Sequence, residues 1–566
     1  FLWPPMVAIS MGSGASGGRI PLRIITGTSV CDGHDAAIGI MRRVMQAEGA
    51  EVIHLGHNRG SEEFAMAAIQ EDAHAIAITS YQGGAVGQFQ HVRDVLDEHG
   101  YPDVSIIAGG GGTILPKEIL YLRDQGIARV YTPDDGREMG LVGMVKDAIE
   151  YSYKVDLMAE SRFHFDGPVT AADHGAVGRL LTLAENGDES ALTTALGNAR
   201  SRDEGEECPV VGITGTGGAG KSSLIDEIML RIQRDNPDAK VALLATDPTR
   251  EKTGGALLGD RIRMNSLTNS NLYMRSFASR SSGSEIAECV ERAIGVCRAV
   301  GFDLVIVETS GIGQRDSSVA SVSDISVYVT TKEYGAPSQL EKLAALDIAD
   351  IVCLNKADRP GAADALRDIR KQYQRNHELF DSPPDSMPVY PTIASQFADA
   401  GVDILWAALA AMLNERHGTT FASAEAEMGS DGLPKRDVLI PPERINYLAQ
   451  VTASVRDYHS RSEEVAGKVR LVQQLEAAAS QMRESGSKDA AGDLEAEVAN
   501  IRDEVPDEAW QDLERFDEIA AAYNSGETSY MVGSREVPVK TTNQTIEGID
   551  IPRVSLPDTQ DWGDRL

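Results

Sequence analysis

Residues 212–223 read GITGTGGAGKSS and contain the pattern G-x-x-x-x-G-K-S/T, from Gly215 to Ser222. The apolar run PVVGITG leads into the pattern, and the amphipathic segment SSLIDEIMLRIQ follows it. In this strand–loop–helix context the glycines allow backbone N–H groups to converge on phosphate oxygens, and the helix N-terminus adds its positive dipole end. The stretch therefore predicts a P-loop nucleotide-binding domain of α/β class.

The loop supplies backbone donors together with two side chains of distinct function. We expect Lys221 to reach the outer phosphates and the Ser222 hydroxyl to ligate Mg²⁺. The residues of this loop predicted to bind nucleotide are Gly215, Gly217, Gly218, Ala219, Gly220, Lys221, Ser222 and Ser223.

A second segment, LVIVETSGIGQ at residues 304–314, reads as a buried strand that ends in an acidic residue. An acid at this place in a P-loop domain can hold Mg²⁺ through water, and a glycine soon after it lets a backbone N–H approach the terminal phosphate. We assign Glu308 and Thr309 to the metal side and Gly311 to the phosphate side. The residue that orients the hydrolytic water stays open among Gln314, Asp316, Gln339 and Lys342.

A third segment, IVCLNKAD at residues 351–358, predicts the choice of base. The Asp358 carboxylate can accept hydrogen bonds from N1–H and the 2-amino group of guanine, whereas adenine offers neither donor and would leave the carboxylate unpaired. Asn355 can bond the other edge of the base, and the stem of Lys356 can cover its face. The sequence therefore predicts GTP, with Mg²⁺, as the substrate of this domain.

Residues 22–150 alternate short apolar runs with amphipathic stretches. The runs are LRIITGTS, EVIHLG, AIAITS, VSIIAGG and ARVYT. Five β-α units at this spacing predict a doubly wound parallel sheet, for which the strand order 2-1-3-4-5 of flavodoxin-like folds is common.

Polar and small residues follow the first, third and fourth of these strands. Asp32 and His34 come after the first, Ser80 ends the third, and the glycines Gly109 and Gly110 follow the fourth. In the order 2-1-3-4-5 these three strands are neighbours, and ligands bind at the carboxyl edge of such sheets. The residues are therefore expected to converge on one crevice.

This arrangement resembles the cobalamin-binding domain of base-off/His-on mutases, whose pattern is D-x-H-x-x-G, then S-x-L, then G-G. The resemblance implies that His34 is the lower axial ligand of cobalt, that Asp32 hydrogen-bonds its other ring nitrogen, and that Ser80 contacts the nucleotide tail in a slot beside the sheet. Ala37 replaces the pattern's glycine and Gln82 its leucine.

Residues 243–264 read LLATDPTREKTGGALLGDRIRM, and GRLLTLAENG stands ahead of the P-loop. With the P-loop these motifs resemble the MeaB/ArgK-like GTPases that serve cobalamin mutases, over about residues 175–417. The resemblance implies that Asp247 and Asp260 take part in binding Mg²⁺ and that Arg263 contacts the nucleotide.

The order of the two domains resembles the amino-terminal part of the fused isobutyryl-CoA mutase family. That resemblance implies adenosylcobalamin as cofactor, an acyl-CoA substrate carried by a mutase barrel domain, a homodimer, and a GTPase that gates cofactor loading or protection. A stand-alone GTPase chaperone that delivers cobalamin to a separate mutase subunit is the alternative. A GTPase tied to nickel would predict His/Cys-rich tracts, which the sequence lacks.

The expected domain organisation follows from these motifs. It consists of a cobalamin-binding domain at 20–152, a helical extension and linker at 153–207, a P-loop GTPase domain at 208–417, a mainly helical linker at 418–535, and the approach to a substrate barrel at 536–566. The Ala-, Glu- and Gln-rich linker fits a solvated spacer and an arm that docks another domain equally well.

Composition restricts the partners. The formal net charge of −33 argues against nucleic acid or an anionic membrane surface as a partner. The five cysteines form no CxxC pair, and no apolar run reaches membrane-spanning length. The first ten residues lack a basic n-region, so we expect no signal peptide and a cytoplasmic location.

Overall fold

The structure is a computed structural model of the chain. It describes residues 20–187, 189–199, 208–250, 252–280, 289–309, 318–334, 345–425, 444, 446–532, 535–545, 548–556 and 559–566. The chain divides into two compact units, Phe1–Asp437 and Val438–Leu566. Gly311 and the four residues considered for orienting water lie outside the described residues.

A parallel sheet forms the first domain of the first unit. Its strands are β1 (Arg23–Ser29), β2 (Glu51–Arg59), β3 (Ala75–Thr79), β4 (Ser105–Gly109) and β5 (Arg129–Tyr131). They lie in the order β5-β4-β3-β1-β2, so the predicted flavodoxin-like order is confirmed. The strands read as apolar runs because helices cover both faces of the sheet.

The helices of this domain alternate with the strands along the chain. They are α1 (Ala36–Ala47), α2 (Ser61–Gln70), α3 (Ala85–Glu98), α4 (Pro116–Asp124) and α5 (Pro133–Ser152). Apolar side chains of α1 and α5 share one core with one face of the sheet, and those of α2, α3 and α4 share another core with the opposite face.

A second parallel sheet forms the P-loop domain. The strands of this part of the chain are β6 (Val210–Gly215), β7 (Val241–Asp247), β8 (Ala256–Leu258), β9 (Leu272–Ala278), β10 (Leu304–Glu308), β11 (Ile325–Thr330), β12 (Ile351–Asn355) and β13 (Val389–Thr392). Within the sheet the order is β13-β12-β11-β6-β10-β7-β9. The P-loop strand β6 thus lies between β11 and β10, which places the loop at the centre of the carboxyl edge.

The helices around this sheet include the extension that precedes it. They are α6 (His174–Asn186), α7 (Glu189–Ala199), α8 (Lys221–Asp235), α9 (Val290–Ala299), α10 (Ser318–Val322), α11 (Ala345–Ile348), α12 (Ala362–Asn376) and α13 (Ala400–His417). Short 3₁₀ helices occupy Glu160–Phe163, Asp260–Arg263, Ser266–Thr268, Lys332–Tyr334 and Pro384–Ser386. Buried side chains of α6 and α9 share one core with β6 and β10, so α6 packs as part of the P-loop domain.

Strand β8 joins the two domains. It leaves the P-loop domain and pairs in parallel with β2, with Leu257 opposite Val52, as the sixth strand of the first sheet. The preceding Gly255 has no room for a side chain, because a Cβ there would lie 2.2 Å from the carbonyl oxygen of Gln46. Three residues are too short a run to have been predicted as a strand, and the pairing is decided by contact with the other domain.

A buried network of charged side chains also crosses between the domains. Arg23 of β1 pairs with Glu71 at 2.8 Å, and Arg261 of the P-loop domain pairs with the same carboxylate at 3.0 Å. Glu185 of α6 pairs with Arg275 of β9 at 2.9 Å. These side chains are almost fully buried, so each charge depends on its partners for the solvation that water would supply.

Replacing one carboxylate of this network should be costly. We expect Glu71→Gln to lower the free energy of unfolding by about 3–5 kcal/mol, because Arg23 and Arg261 would keep buried charges without full compensation. Glu62→Gln is the matched control, since Glu62 is exposed in the same region of the chain. Urea denaturation followed by circular dichroism would measure both variants. Equal stability of the two variants would contradict the expectation.

The second unit contains long helices followed by short antiparallel strand pairs. Its elements are α14 (Tyr447–Glu484), α15 (Lys488–Glu504), α16 (Asp507–Asn524), β14 (Glu527–Val532), β15 (Arg535–Lys540), β16 (Thr542–Gln544), β17 (Asp550–Pro552) and α17 (Trp562–Arg565). β14 pairs with β15, and β16 pairs with β17. Val472, Val498 and Ile501 form a small core. In the described residues no helix is both long and apolar enough to cross a membrane.

The structure differs from the predicted helical linker at its carboxyl end. The helices stop at Asn524, and residues 527–532 form a strand. Gly526 has a positive φ of 84°, a conformation that ends a helix readily when the residue is glycine. The residues that follow include β-branched and aromatic side chains, which favour strands.

Candidate functional site

The P-loop connects β6 to α8 in a conformation that requires glycine. Gly215 has a φ of 147°, and a Cβ there would lie 2.0 Å from the carbonyl oxygen of Val329. Gly218 and Gly220 also have positive φ, 75° and 94°. The Lys221 ammonium group donates to the Gly215 carbonyl at 3.2 Å, so it lies folded over the loop in which phosphates are expected. Of the other predicted loop residues, Gly217 is exposed, Ala219 is buried and Ser223 is half-buried.

Two of the predicted magnesium residues meet the first turn of α8. The Ser222 hydroxyl lies 2.8 Å from a carboxylate oxygen of Glu308 and 3.0 Å from one of Asp260. Glu308 comes from the end of β10 and Asp260 from the loop after β8, so three distant segments converge here. The second oxygen of Glu308 is buried and has no hydrogen-bond partner among the described residues.

The acidic groups around Ser222 are poorly compensated. Burial, reinforced by the nearby Asp260 carboxylate, holds the pKa of Asp247 and that of Glu308 well above the ordinary range. A cation would relieve this repulsion and give the unpaired Glu308 oxygen a partner, so the residues fit Mg²⁺. No three His, Cys, Asp or Glu side chains among the described residues form a direct chelate. That agrees with the usual P-loop arrangement, in which a hydroxyl, phosphates and waters supply most of the ligands.

The remaining residues predicted near the metal have different placements. Asp247 ends β7 and accepts a hydrogen bond from the N–H of Gly259 at 3.0 Å. Arg263 is half-exposed and pairs with Asp260 at 2.7 Å. Thr309 is buried, and its hydroxyl donates to the Thr214 hydroxyl at 2.9 Å. Arg263 thus lies on the loop that carries Asp260, and Asp247 is hydrogen-bonded to that loop from the end of β7. Thr309 supports the strand beneath the P-loop.

The predicted base-recognition residues stand at the end of β12. The Asn355 amide donates to the Ala219 carbonyl at 2.8 Å, and the Lys356 ammonium donates to the Gly218 carbonyl at 2.7 Å. Both residues therefore hold the P-loop from the side. Asp358 is exposed at the turn that follows. Its carboxylate is accessible to a base lying on this side of the loop.

At the carboxyl edge of the first sheet, Asp32 organises the loop after β1. One oxygen of its carboxylate accepts a hydrogen bond from the backbone N–H of Tyr81 at 2.6 Å. The other oxygen lies 2.7 Å from the ring nitrogen Nδ1 of His34 and accepts from the backbone N–H of His34 at 2.9 Å. The Asp32 side chain is almost fully buried, whereas that of His34 is 74% exposed. The Tyr81 ring, which the sequence did not single out, lies 5.4 Å from the imidazole, centroid to centroid.

The hydrogen bonds around Asp32 define the state of the imidazole. Burial tends to raise the pKa of Asp32, but the N–H groups of Tyr81 and His34 and the imidazole outweigh it and leave this pKa below its usual value. An ionised Asp32 carboxylate accepts a hydrogen bond from Nδ1–H of His34, so Nε2 is the ring nitrogen left for a ligand. That nitrogen belongs to the exposed ring and is the atom a metal ion would take.

An apolar crevice runs between the sheet and helices α1 and α5. It is lined by Ile38, Met41, Met45, Ala77, Ile78, Thr79, Ile107, Ala108, Gly109, Tyr131, Met144, Val145 and Ala148. Gly109, predicted at this site, is among the lining residues. Ser80 is not, because its buried hydroxyl accepts a hydrogen bond from Ser29 at 2.7 Å and its N–H donates to the Gly109 carbonyl. The lining of this crevice is almost wholly apolar.

The glycines after β4 make room for protein atoms. A Cβ on Gly110 would lie 2.7 Å from the Ser80 carbonyl oxygen, and one on Gly111 would lie 2.2 Å from the Tyr81 ring. Gln82, which departs from the cobalamin pattern, donates from its amide to the carbonyl of Val30. Its side chain thus closes the loop after β1 and does not line the crevice.

Two family models match the chain. The B12 binding domain model matches residues 22–139, and the model described as methylmalonyl Co-A mutase-associated GTPase MeaB matches residues 177–427. These ranges contain the loop of Asp32 and His34 and the P-loop site, respectively. The fold and the two sites therefore define a chain that combines a B12-binding domain with a MeaB-type GTPase domain.

The chain belongs to the fused isobutyryl-CoA mutase family, as the amino-terminal part with these two domains. A fused isobutyryl-CoA mutase of Geobacillus kaustophilus is 44% identical over 96% of this chain and 50% of its own length. Those of Cupriavidus metallidurans and Nocardia farcinica are 43% and 41% identical, again over 96% of this chain and over 49% and 50% of their own lengths. The chain spans about half the length of these curated relatives.

Proposed function

We propose that this chain binds adenosylcobalamin and hydrolyses GTP as part of an acyl-CoA mutase of the isobutyryl-CoA to n-butyryl-CoA type. In this proposal the GTPase domain gates the loading or protection of the cofactor. The observation that carries it is the Asp32–His34 pair, in which Nδ1 of an exposed imidazole contacts the buried carboxylate and Nε2 is left for cobalt. When bound, adenosylcobalamin supplies the radical chemistry by which a group moves between neighbouring carbons.

The residues of the first domain hold and orient the cofactor. His34 would supply a nitrogen ligand to cobalt, and Asp32 would keep the proton on Nδ1 and raise the basicity of Nε2. The nucleotide tail would lie at the crevice between the sheet and helices α1 and α5, where Gly109 is part of the wall. Ser80 acts from behind the crevice by fixing Ser29 and the strand end.

The residues of the second domain bind GTP and Mg²⁺. The N–H groups of the P-loop and Lys221 hold the phosphates, Ser222 and Glu308 hold the metal, and Asp358 selects guanine. Asp260 and Arg263 lie on the loop after β8, the strand that pairs with the cobalamin domain, and Asp247 at the end of β7 is hydrogen-bonded to the start of that loop. A GTP-dependent change in this loop is the step by which hydrolysis would gate the cofactor.

A cobalamin-delivery chaperone that acts on a separate mutase subunit uses the same residues of this chain. The two functions differ in where the acyl-CoA barrel is encoded. A reading frame that continues into a barrel domain supports the fused mutase, and a separate neighbouring gene for the barrel supports the chaperone. A homodimer is part of the proposal in either case.

The test combines cofactor binding with turnover. Titration of the chain with adenosylcobalamin should show saturable binding with the cobalt still nitrogen-ligated in the visible spectrum, and the chain should hydrolyse GTP in the presence of Mg²⁺. Addition of a mutase barrel from a relative in trans should then convert isobutyryl-CoA to n-butyryl-CoA. Absence of cobalamin binding even with the barrel present would refute the mutase and leave only the GTPase.

A further inference from the structure

Arg59, at the end of β2, makes hydrogen bonds both within the cobalamin domain and to the P-loop domain. Its Nε donates to the Leu55 carbonyl at 2.7 Å and one terminal nitrogen to Glu63 at 2.8 Å, both within the cobalamin domain. The other terminal nitrogen donates to the carbonyl of Ile262 at 3.2 Å. The planar guanidinium thereby fixes a backbone atom of the other domain relative to β2.

Ile262 lies on the loop that reaches the nucleotide site. It stands between Asp260, which contacts Ser222, and Arg263, which pairs with Asp260. Its side chain packs so closely on Gly56 of β2 that a Cβ there would lie 2.7 Å from Ile262 Cδ1. The position of the Asp260 carboxylate therefore depends on the position of the last residues of β2.

On its other side, the end of β2 is bonded to the loop after β1 that carries Asp32 and His34. The Asn58 side chain accepts from the N–H of Cys31 at 2.7 Å. Gln88 of α3 accepts from the N–H of Val30 at 3.2 Å and donates to the carbonyl of Arg59 at 2.8 Å. The N–H of Cys31 is thus bonded directly to Asn58, and the N–H of Val30 is connected through Gln88 to the carbonyl of Arg59.

We propose that Arg59 is a positioning residue that couples the cobalamin site to the magnesium site. The inference rests on the proposed function, because it requires that His34 binds cobalamin and that the Asp260 loop serves Mg²⁺ and GTP. A ligand that fixes the loop of His34 also fixes Asn58 and the carbonyl of Arg59. Through its guanidinium the same residue then holds Ile262, and with it Asp260, in one place.

Thermodynamic linkage makes the proposal quantitative. If adenosylcobalamin changes the affinity for the magnesium–nucleotide complex by a given factor, the nucleotide must change the affinity for adenosylcobalamin by the same factor. Factors of about 5–150 are typical of coupled sites. Removal of Arg59 should bring the factor close to one and leave the affinity for each ligand alone nearly unchanged, because Arg59 contacts neither ligand site directly.

The experiment is a set of calorimetric titrations on the full chain. A non-hydrolysable GTP analogue with Mg²⁺ is titrated with and without saturating adenosylcobalamin, and adenosylcobalamin is titrated with and without the analogue. The wild type should give one coupling factor of at least about fivefold in both directions. Arg59→Gln should reduce it to less than about twofold, and the matched control Arg123→Gln, an exposed arginine of α4, should retain the wild-type value.

A second variant tests the same route if Arg59→Gln fails to fold. Asn58 has a φ of 57°, which glycine adopts without strain, so Asn58→Gly removes the carboxamide without forcing the backbone. It should also lower the coupling factor. A wild-type factor retained in either folded variant would overturn the proposal, as would a factor of one in a wild type that binds both ligands. A wild type that binds no cobalamin even with a mutase barrel added in trans would instead refute the proposed function and this inference with it.

Discussion

Asp358→Asn is expected to lower the affinity for GTP by roughly 10²–10⁴-fold and to make xanthosine triphosphate the preferred nucleotide. The carboxylate would lose two charge-assisted hydrogen bonds, each worth about 1.5–3 kcal/mol, to N1–H and the 2-amino group of guanine. An asparagine amide can instead donate to the 2-oxo group of xanthine. Because Asp358 is exposed and bonded to no described residue, its replacement should leave the fold intact.

Competition binding with a fluorescent guanine nucleotide would measure this switch. Asp364→Asn is the matched control, because Asp364 is an exposed acid on the helix that follows and has no part in the site. The control should keep its preference for GTP. Unchanged guanine selectivity in Asp358→Asn would remove this residue from base recognition, and with it the reason for predicting GTP.

His34→Ala is expected to weaken cobalamin binding by at least about 10- to 100-fold, the range seen when a group that merely orients a metal ligand is lost. Here the ligand itself is removed. The exposed imidazole contributes little to packing, so the variant should remain folded. Cobalamin that still binds should lack the spectroscopic signature of a protein nitrogen on cobalt.

Electron paramagnetic resonance of the reduced, cob(II)alamin-loaded protein would detect that nitrogen directly. In the wild type, labelling histidine with ¹⁵N should change the nitrogen splitting from a triplet to a doublet, and in His34→Ala no such change should occur. His91→Ala, which removes an exposed histidine from α3, should behave as the wild type. If the label leaves the nitrogen splitting of the wild type unchanged, the cofactor keeps its own base. That result would contradict the assignment of His34.

Much of the nucleotide site could be predicted from the sequence because its residues are close together along the chain. The glycines of the P-loop, Lys221 and Ser222 lie within eight residues, and their spacing alone implies the loop conformation that the positive φ angles of Gly218 and Gly220 display. The role of Thr309 was less accessible. Its hydroxyl bonds Thr214 on a neighbouring strand, and a sequence does not state which hydroxyls face each other across a sheet.

The cobalamin site was predictable in outline for a different reason. The strand order of a doubly wound sheet brings the loops after its first, third and fourth strands together, so Asp32, His34 and Gly109 could be grouped without coordinates. The contribution of Tyr81 was not predictable. It depends on the N–H of Tyr81 reaching the Asp32 carboxylate and on the absence of a side chain at Gly111.

The two α/β domains, their order and the residue types at each site follow from periodicity and from spacing along the chain, so they could be predicted from the sequence. How the domains are joined depends on contacts that form only in the folded chain. Strand β8 is stable only because β2 offers it hydrogen-bond partners, and Glu71 tolerates burial only because arginines from both domains surround it. Such contacts join residues about two hundred positions apart, where no local pattern specifies the partner.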